Sequence, residues 1–462
     1  MAKVALYTLG CKVNQYETER IADDFRSKGF EVVGFSDRAD VYVINSCTVT
    51  RTADGKSRHA ARFAARRSPG AVIVLTGCYA ETAPEQVSGI AEVSLVIGNR
   101  EKDSLVRSVV DRLGLSPYHT GRDVGSPDTL RANTRNRTRA LLKIQDGCDQ
   151  FCAYCVVPFA RTIMWSKPSD QVLAEAGELA RSGYKEIVLT GVRLGRYEDE
   201  RLRLRDLIDR LTQFPGIQRV RLSSLELTDM PSGLLELMVA NPKVCRHLHI
   251  PLQSGDDGVL KRMKRPYTAG QFKSFVEQAR SLAPEIAVTT DVMVGFVGET
   301  DTEFESSYKF AESLRFARMH VFRYSPRPRT AASELPDDVS AREKARRSAR
   351  MIDLGDTCAQ EFAQAMVGKI VKVLVEGKEL GTSLRSGLTD NYVRVVFEAD
   401  ARLVGEIVKV HVDRTQTGTA YGHVVWQNQM PGGLPGREED RDGERVLVLQ
   451  DCAARNRLAD RI

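Results

Sequence analysis

The sequence predicts an α/β protein in three parts: a parallel α/β domain over residues 1–113, a partial (βα)6 barrel over 136–365, and a small antiparallel β-barrel over 366–429. Three observations predict it. Short apolar runs alternate with helical patterns through the first hundred residues, which is the mark of parallel strands buried on both faces. A second and longer series of the same kind follows, with six βα units where a closed barrel of this type has eight. Beyond residue 366 the spacing changes to short β-rich runs divided by turn residues.

In the first domain the elements run VALYTLG, TERIADDFRSKG, VYVINSCTV, a basic helix around Arg58 to Arg67, and AVIVLTGC. Cys11, Cys47 and Cys78 stand at or just after the ends of the three strands. Ligands of open α/β sheets bind along that edge. From about Pro117 to Arg139 the sequence, with GRDVGSPDTLRANTRNRTR, is polar, basic and without an apolar period, and residues 114–135 are read as a linker. The barrel strands are ALLKIQD, EIVLTG, RVRLSSLE, HLHIPLQS, AVTTDVMVG and HVFRYS; periodicity alone leaves an open doubly wound sheet as the alternative. A basic helix, AREKARRSARMIDLG, leads into KIVKVLVEG, YVRVVFE, EIVKVHVD and TAYGHVVW, the strands of the β domain, and residues 430–462 form a Pro/Gly-rich and then charged tail.

Composition narrows the function. The 462 residues carry 67 Lys plus Arg against 61 Asp plus Glu, a net charge of +6, so the chain is no general electrostatic sleeve for nucleic acid and a polyanion site must be local. No run of 18 apolar residues occurs, which excludes a spanning helix, and the apolar start is too short for a signal peptide. Nine cysteines, an odd number, argue against a disulfide framework and for a reducing compartment, so the cytoplasm is expected.

Directly after the first barrel strand, GCDQFCAYCVVPFAR holds Cys148, Cys152 and Cys155 in a Cys-x-x-x-Cys-x-x-Cys pattern. Three thiolates on one tight loop suit a [4Fe-4S] cluster, since structural zinc wants four ligands and no fourth Cys or His is near. Such a cluster leaves one iron free for a small molecule. Cys11, Cys47 and Cys78 each read singly as a buried strand-end cysteine. Strands about 4.8 Å apart nevertheless let three such thiolates converge on a second cluster.

The cysteine loop, with aromatic Tyr154 before its last cysteine, resembles the radical S-adenosylmethionine superfamily. Taken with TLGCKVNQYE, VINSCTVT, TGCYAE, HLHIPLQSGDDGVLKRMKRPYT, DVMVGFVGET and HVFRYSPRP, it resembles the methylthiotransferase family over residues 3 to 428. The resemblance implies an N-terminal domain with an auxiliary cluster on Cys11, Cys47 and Cys78, a radical core with its cluster on Cys148, Cys152 and Cys155, and a C-terminal TRAM domain that holds RNA. It implies two [4Fe-4S] clusters and S-adenosyl-L-methionine as cofactors, a tRNA substrate, an electron donor such as flavodoxin or ferredoxin, a monomer, and no membrane. Cofactor or substrate contacts carry over to Tyr154, Glu226, Gln253, Ser254, Gly295 and Gly298, and Asn14 and Asn45 are expected to support the cysteine ligands from behind, with strand-end packing and ordinary turn asparagines as the alternatives.

Lys12 and Val13 after the first cysteine resemble the threonylcarbamoyladenosine branch, so conversion of that nucleoside, next to the anticodon at position 37, to its 2-methylthio derivative is expected. The alternatives are isopentenyladenosine in tRNA, a ribosomal-protein aspartate, a one-cluster radical protein with a redox-sensing first domain, and an RNA-binding protein whose lone cluster is structural. Thr162, Ile163, Met164, Trp165, Val297 and Arg329 depart from the family pattern but leave all six cysteines in place. Basic residues in the first-domain helix, the linker and the helix from Arg342 to Arg350, with Tyr392 and Phe397 of the β domain, are the expected RNA surface, against solvated faces and core as the alternatives.

Overall fold

A computed structural model describes residues 1–115, 137–379 and 382–425. Nearly all of the expected linker, the whole of the expected tail, and Cys452 lie outside the described residues.

The first part is a five-stranded parallel sheet of β1 (Lys3–Thr8), β2 (Glu31–Val33), β3 (Val41–Ser46), β4 (Val72–Gly77) and β5 (Leu95–Ile97), in the order β2-β1-β3-β4-β5. The central β3 and β4 are buried at every residue, as their unbroken apolar runs require. The sequence reading missed β2 and β5, edge strands of three residues that are too short to show a period. Helix Lys12–Ser27 lays Val13, Tyr16, Ile21 and Phe25 along one face and covers one side of the sheet. Helix Arg51–Arg67, capped by the Thr50 side chain at the Ala53 amide, covers the other.

The second part contains all six expected strands: β6 (Arg139–Lys143), β9 (Glu186–Thr190), β10 (Arg219–Leu222), β11 (His247–His249), β12 (Ala287–Val294) and β13 (Arg318–Arg323). A short antiparallel pair, β7 (Gln145–Asp146) and β8 (Trp165–Ser166), closes the base of the cysteine loop. The six strands form two parallel groups, β10-β9-β6 and β11-β12-β13, joined by bridges at Val220–Val244 and Ser224–His249. Among the described residues β6 and β13 do not pair, so the barrel is partial. Tyr16 of the first domain packs with Leu141 and Val188 and covers the β6 side of the opening.

The third part is a closed barrel of β14 (Ile370–Lys378), β15 (Arg385–Leu388), β16 (Arg394–Glu398), β17 (Ile407–Gln416) and β18 (Thr419–Val424). Its pairs are antiparallel except β16 with β18. β15 escaped the sequence reading because Gly387 interrupts its apolar pattern; a side chain there would collide with the Leu374 carbonyl across the barrel. Phe397 is 1% exposed inside this barrel, so it is core and not an RNA contact. Two arginines anchor the barrel to the second part: Arg219 donates to the carbonyls of Leu388 (2.9 Å) and Lys372 (2.7 Å), and Arg221 to those of Asp390 (2.8 Å) and Thr389 (2.9 Å).

The basic helix Ala341–Gln364 is less of an RNA surface than its sequence implies. Lys344 is buried against Asp337 (2.6 Å), and Arg347 against Glu299 (2.8 Å) and Glu343 (2.7 Å), while Arg346 and Arg350 pair with Glu343 and Glu305. Among the described residues no helix is long and apolar enough to cross a membrane.

Candidate active site

Strand register brings the three first-domain cysteines together. Thr8 of β1 pairs with Asn45 of β3, and Asn45 with Thr76 of β4, so Cys11, Cys47 and Cys78 leave the same edge of the sheet two or three residues later. Two glycines allow the loops to meet. Gly10, at φ +95°, faces Cys47 so closely that a Cβ would lie 2.8 Å from its Cβ and 2.9 Å from its Sγ. Gly77, at φ +94°, lies against the Ser46 backbone, where any side chain would collide. Asn14 donates from Nδ2 to the carbonyls of Leu9 (2.8 Å) and Ser46 (2.9 Å), and Asn45 to that of Asn14 (2.9 Å). These asparagines therefore tie the cysteine loops to each other.

The second triad is built by one tight loop. The Cys148 amide donates to Arg161 O (3.2 Å) and the Cys155 amide to Cys152 O (3.0 Å), which fixes the three side chains between β6 and the short helix Val157–Ala160. The Gln150 amide points at Cys148 Sγ (3.4 Å), and Arg265 Nη1 at Cys152 Sγ (3.3 Å). Burial pushes the Cys155 thiol up to about 12 and the Cys47 thiol up to about 11. As free thiols these are poor nucleophiles. All six are free of disulfides, and soft sulfur donors with N–H groups aimed at them fit iron–sulfur clusters, whose iron would hold the thiolates deprotonated.

Arg161, 5% exposed, joins the two triads. Its guanidinium donates to Glu17 (2.8 and 3.0 Å), Asp146 (2.9 and 2.8 Å) and Asn14 Oδ1 (2.8 Å). Lys102 (2.5 Å) and Lys143 (2.7 Å) complete the ring around Glu17, and Lys143 also reaches Asp146 (2.6 Å). Burial opposes the Glu17 charge, but Lys102, Arg161 and Lys143 together hold its carboxyl well below the usual range. Asn99 adds a second link, donating to Ala160 O (2.8 Å) beside Cys78 Sγ (3.7 Å). Sequence reasoning missed this network. Its members lie up to 147 residues apart; Asn14 and Glu17 stand in the motif TLGCKVNQYE and Arg161 ends the cysteine loop, but nothing local links the two segments.

The other predicted residues separate into two groups. Glu226 lies beside the loop, its carboxylate paired with Arg265, which also hydrogen-bonds the Tyr267 hydroxyl (3.1 Å). Tyr154 shares this environment and packs edge-on against Phe296, and burial pushes its phenol well above the usual range. Arg265 and Tyr267 were not singled out from sequence, although both lie in the motif HLHIPLQSGDDGVLKRMKRPYT. Gln253, at φ +66°, pairs its backbone with β12 through Asp291 O (2.8 Å) and Met293 N (2.8 Å). Ser254 is buried and accepts the Asp256 amide (3.2 Å). The Gly295 amide is taken by Glu299 (2.6 Å) and the Gly298 amide by Asp338 (2.8 Å). The two glycine amides already have protein partners. Of the departures from the family pattern, Ile163, Met164 and Trp165 are exposed on the arm opposite Gly147, and Arg329 takes φ +72° over the Phe159 ring.

The chain matches known proteins over nearly its whole length. Residues 3–98 match the family described as Uncharacterized protein family UPF0004, residues 142–311 the Radical SAM superfamily, and residues 364–425 the TRAM domain. It is 40% identical to the threonylcarbamoyladenosine tRNA methylthiotransferase MtaB of Bacillus subtilis, over 89% of this chain and 94% of that protein. Its identity to the MtaB protein of Aquifex aeolicus is 37%, covering 88% and 99%. The tRNA-2-methylthio-N(6)-dimethylallyladenosine synthase of Methylobacillus flagellatus is 34% identical, covering 92% and 99%. Among solved structures, the radical S-adenosylmethionine methyltransferase TsrM of Kitasatospora setae shares the fold, with a TM-score of 0.53 at 17% identity over 72% of this chain and 77% of that one. With two free thiol triads on one scaffold and relatives of this identity and coverage, the chain belongs to the methylthiotransferase family of radical S-adenosylmethionine enzymes.

Proposed function

We propose that the protein converts threonylcarbamoyladenosine, next to the tRNA anticodon at position 37, to its 2-methylthio derivative. The observation that carries this is the pair of separate thiol triads, one on the Cys-x-x-x-Cys-x-x-Cys loop and one at the edge of the first sheet, held in one frame by Arg161. Relatives named MtaB, four of them at 32–40% identity, support the choice of nucleoside.

In this reading Cys148, Cys152 and Cys155 hold the radical [4Fe-4S] cluster, and Cys11, Cys47 and Cys78 an auxiliary one. Bound there with S-adenosylmethionine, these groups supply electron transfer, radical chemistry and the sulfur and methyl to be transferred. The chain's own residues place and shield that chemistry. Arg265 aims one N–H at Cys152 Sγ and pairs with Glu226, which sets the charge beside the loop. Tyr154 and Phe296 wall it against water. Glu226 is the carboxylate placed to orient a bound cofactor, while Gln253 and Ser254 shape the neighbouring strand end and Gly295 and Gly298 the turn after β12. The reading includes an electron donor such as flavodoxin or ferredoxin, a cytoplasmic setting and a monomer.

Iron and sulfide counts on anaerobically purified protein, with nucleoside mass spectrometry of tRNA from cells lacking it, test the proposal. About eight iron per chain is expected for two four-iron clusters, together with loss of 2-methylthio-threonylcarbamoyladenosine. About four iron contradicts the second cluster. Persistence of that nucleoside while the isopentenyl counterpart disappears contradicts the substrate.

A further inference from the structure

Lys12 is the residue that follows Cys11, and it opens helix Lys12–Ser27. Its half-buried ammonium faces Tyr392, Arg139 and Arg221, yet no hydrogen bond or ion pair reaches it among the described residues. The arginines around it are already matched: Arg139 with Glu376 (2.8 Å), and Arg221 with Glu186 (2.6 Å), which Arg219 also approaches (3.5 Å). Two carboxylates thus serve three guanidiniums, and Lys12 adds a fourth positive charge. A half-buried cation among guanidiniums and without a counter-charge of its own is costly, and an anion bound beside it offsets that cost.

Two further observations mark the same place. Tyr392, the only aromatic residue with a positive φ among the described residues, is held at +69°, a conformation an aromatic residue adopts only under strain. In that conformation its ring stacks on His247 at 4.4 Å and lies under Arg221 at 5.1 Å. His247 is 3% exposed; its Nε2 meets Thr289 Oγ1 (3.0 Å), but its Nδ1 is buried without a partner. When Nε2 accepts the Thr289 hydroxyl, Nδ1 carries the proton and is a donor for an anion. Backbone strain and an orphaned polar atom gather at binding sites.

We infer that Lys12, with His247 and Tyr392 behind it, is the specificity pocket for the carboxylate of the substrate's threonyl group. This rests on the nucleoside assigned under Proposed function and names how it is recognised. Carbon 2 and the N6 substituent share one edge of the purine, so a base presenting carbon 2 near Cys11 carries its substituent towards the next residue, Lys12. The threonylcarbamoyl substituent ends in a carboxylate, whereas the isopentenyl group is pure hydrocarbon. A site built to bond an anion rejects the analogue that lacks one.

The test compares anticodon stem-loop RNA bearing threonylcarbamoyladenosine with the same RNA bearing the threonine carboxamide, by equilibrium binding to the reconstituted holoenzyme and by methylthiolation. The wild type is expected to bind the acid roughly 10- to 100-fold more tightly, the worth of a charge-assisted hydrogen bond. Lys12→Gln should bring the acid-to-amide ratio close to one, and Lys12→Arg should keep most of it, at unchanged iron content. Because each ratio comes from one protein preparation, a folding defect in a variant does not mimic the result, and the wild-type ratio alone already tests the pocket. A wild type that binds acid and amide alike overturns the inference. So does an equal loss for both RNAs in Lys12→Gln, which would place Lys12 on an RNA phosphate. Failure to methylthiolate the acid RNA while an isopentenyl RNA is converted would overturn the nucleoside assignment, and it is read separately from the binding ratio.

Discussion

Replacing Arg161 with methionine removes the cation with the most bonds to both halves of the site; Lys143 is the other that reaches Glu17 and Asp146. The guanidinium makes five hydrogen bonds of 2.8–3.0 Å, four of them to the carboxylates of Glu17 and Asp146. Removing one partner of a buried ion pair costs about 3–5 kcal/mol because the other charge is left unpaired. Here Lys102 and Lys143 stay within 2.7 Å of the same carboxylates and offset part of that loss, which sets the expectation at the lower end. About 3 kcal/mol corresponds to a change on the order of a hundredfold in the opening equilibrium. A chain of several domains does not unfold in one step, so the assay is native-state hydrogen exchange of the amides in helix Lys12–Ser27, which docks on β6 through this network.

A double-mutant cycle with Glu17→Gln isolates the pair: the double variant should lose at least about 1 kcal/mol less than the two single losses combined. The pH dependence has a definite sign. Glu17 is depressed in the folded protein, so its contribution is full above the ordinary value of 4.5 and shrinks as pH falls from there towards the depressed value. Arg161→Met with less than about 1 kcal/mol of effect, or strict additivity with Glu17→Gln, would refute the claim that this network fastens the first domain to the barrel.

Alanine at Cys148, Cys152 or Cys155 should abolish 5′-deoxyadenosine formation, and normal cofactor cleavage after reconstitution would remove the loop from radical generation. Alanine at Cys11, Cys47 or Cys78 should leave some cofactor cleavage but no methylthiolated RNA, with iron falling towards about four per chain; product at the wild-type rate would take the first-domain triad out of the mechanism. Gly77→Ala places a side chain against the Ser46 backbone at φ +94° and should mimic loss of Cys78 in iron content, while full iron loading would show that the loop can shift at little cost.

The amino-acid sequence by itself determined every element whose signal is local. Of the barrel strands, β6, β9, β10, β11 and β12 are mostly buried and β13 alternates partly buried with exposed residues, and such runs are legible without a structure because each residue's environment repeats along the strand. Cys148, Cys152 and Cys155 were legible for the same reason, since one loop carries all three. Short edges such as β2 and β5, and β15 with its central glycine, were not, because three or four residues do not establish a period. Only the tertiary structure decided what the charges do. Lys344 and Arg347 read as a basic RNA face and are instead buried against Asp337 and Glu299, while Lys12, one cation among many in the sequence, has no counter-charge among the described residues. Whether a charge is free or matched depends on partners brought together from distant parts of the chain, as Arg161 is with Glu17 across 144 residues, and no local pattern records that pairing.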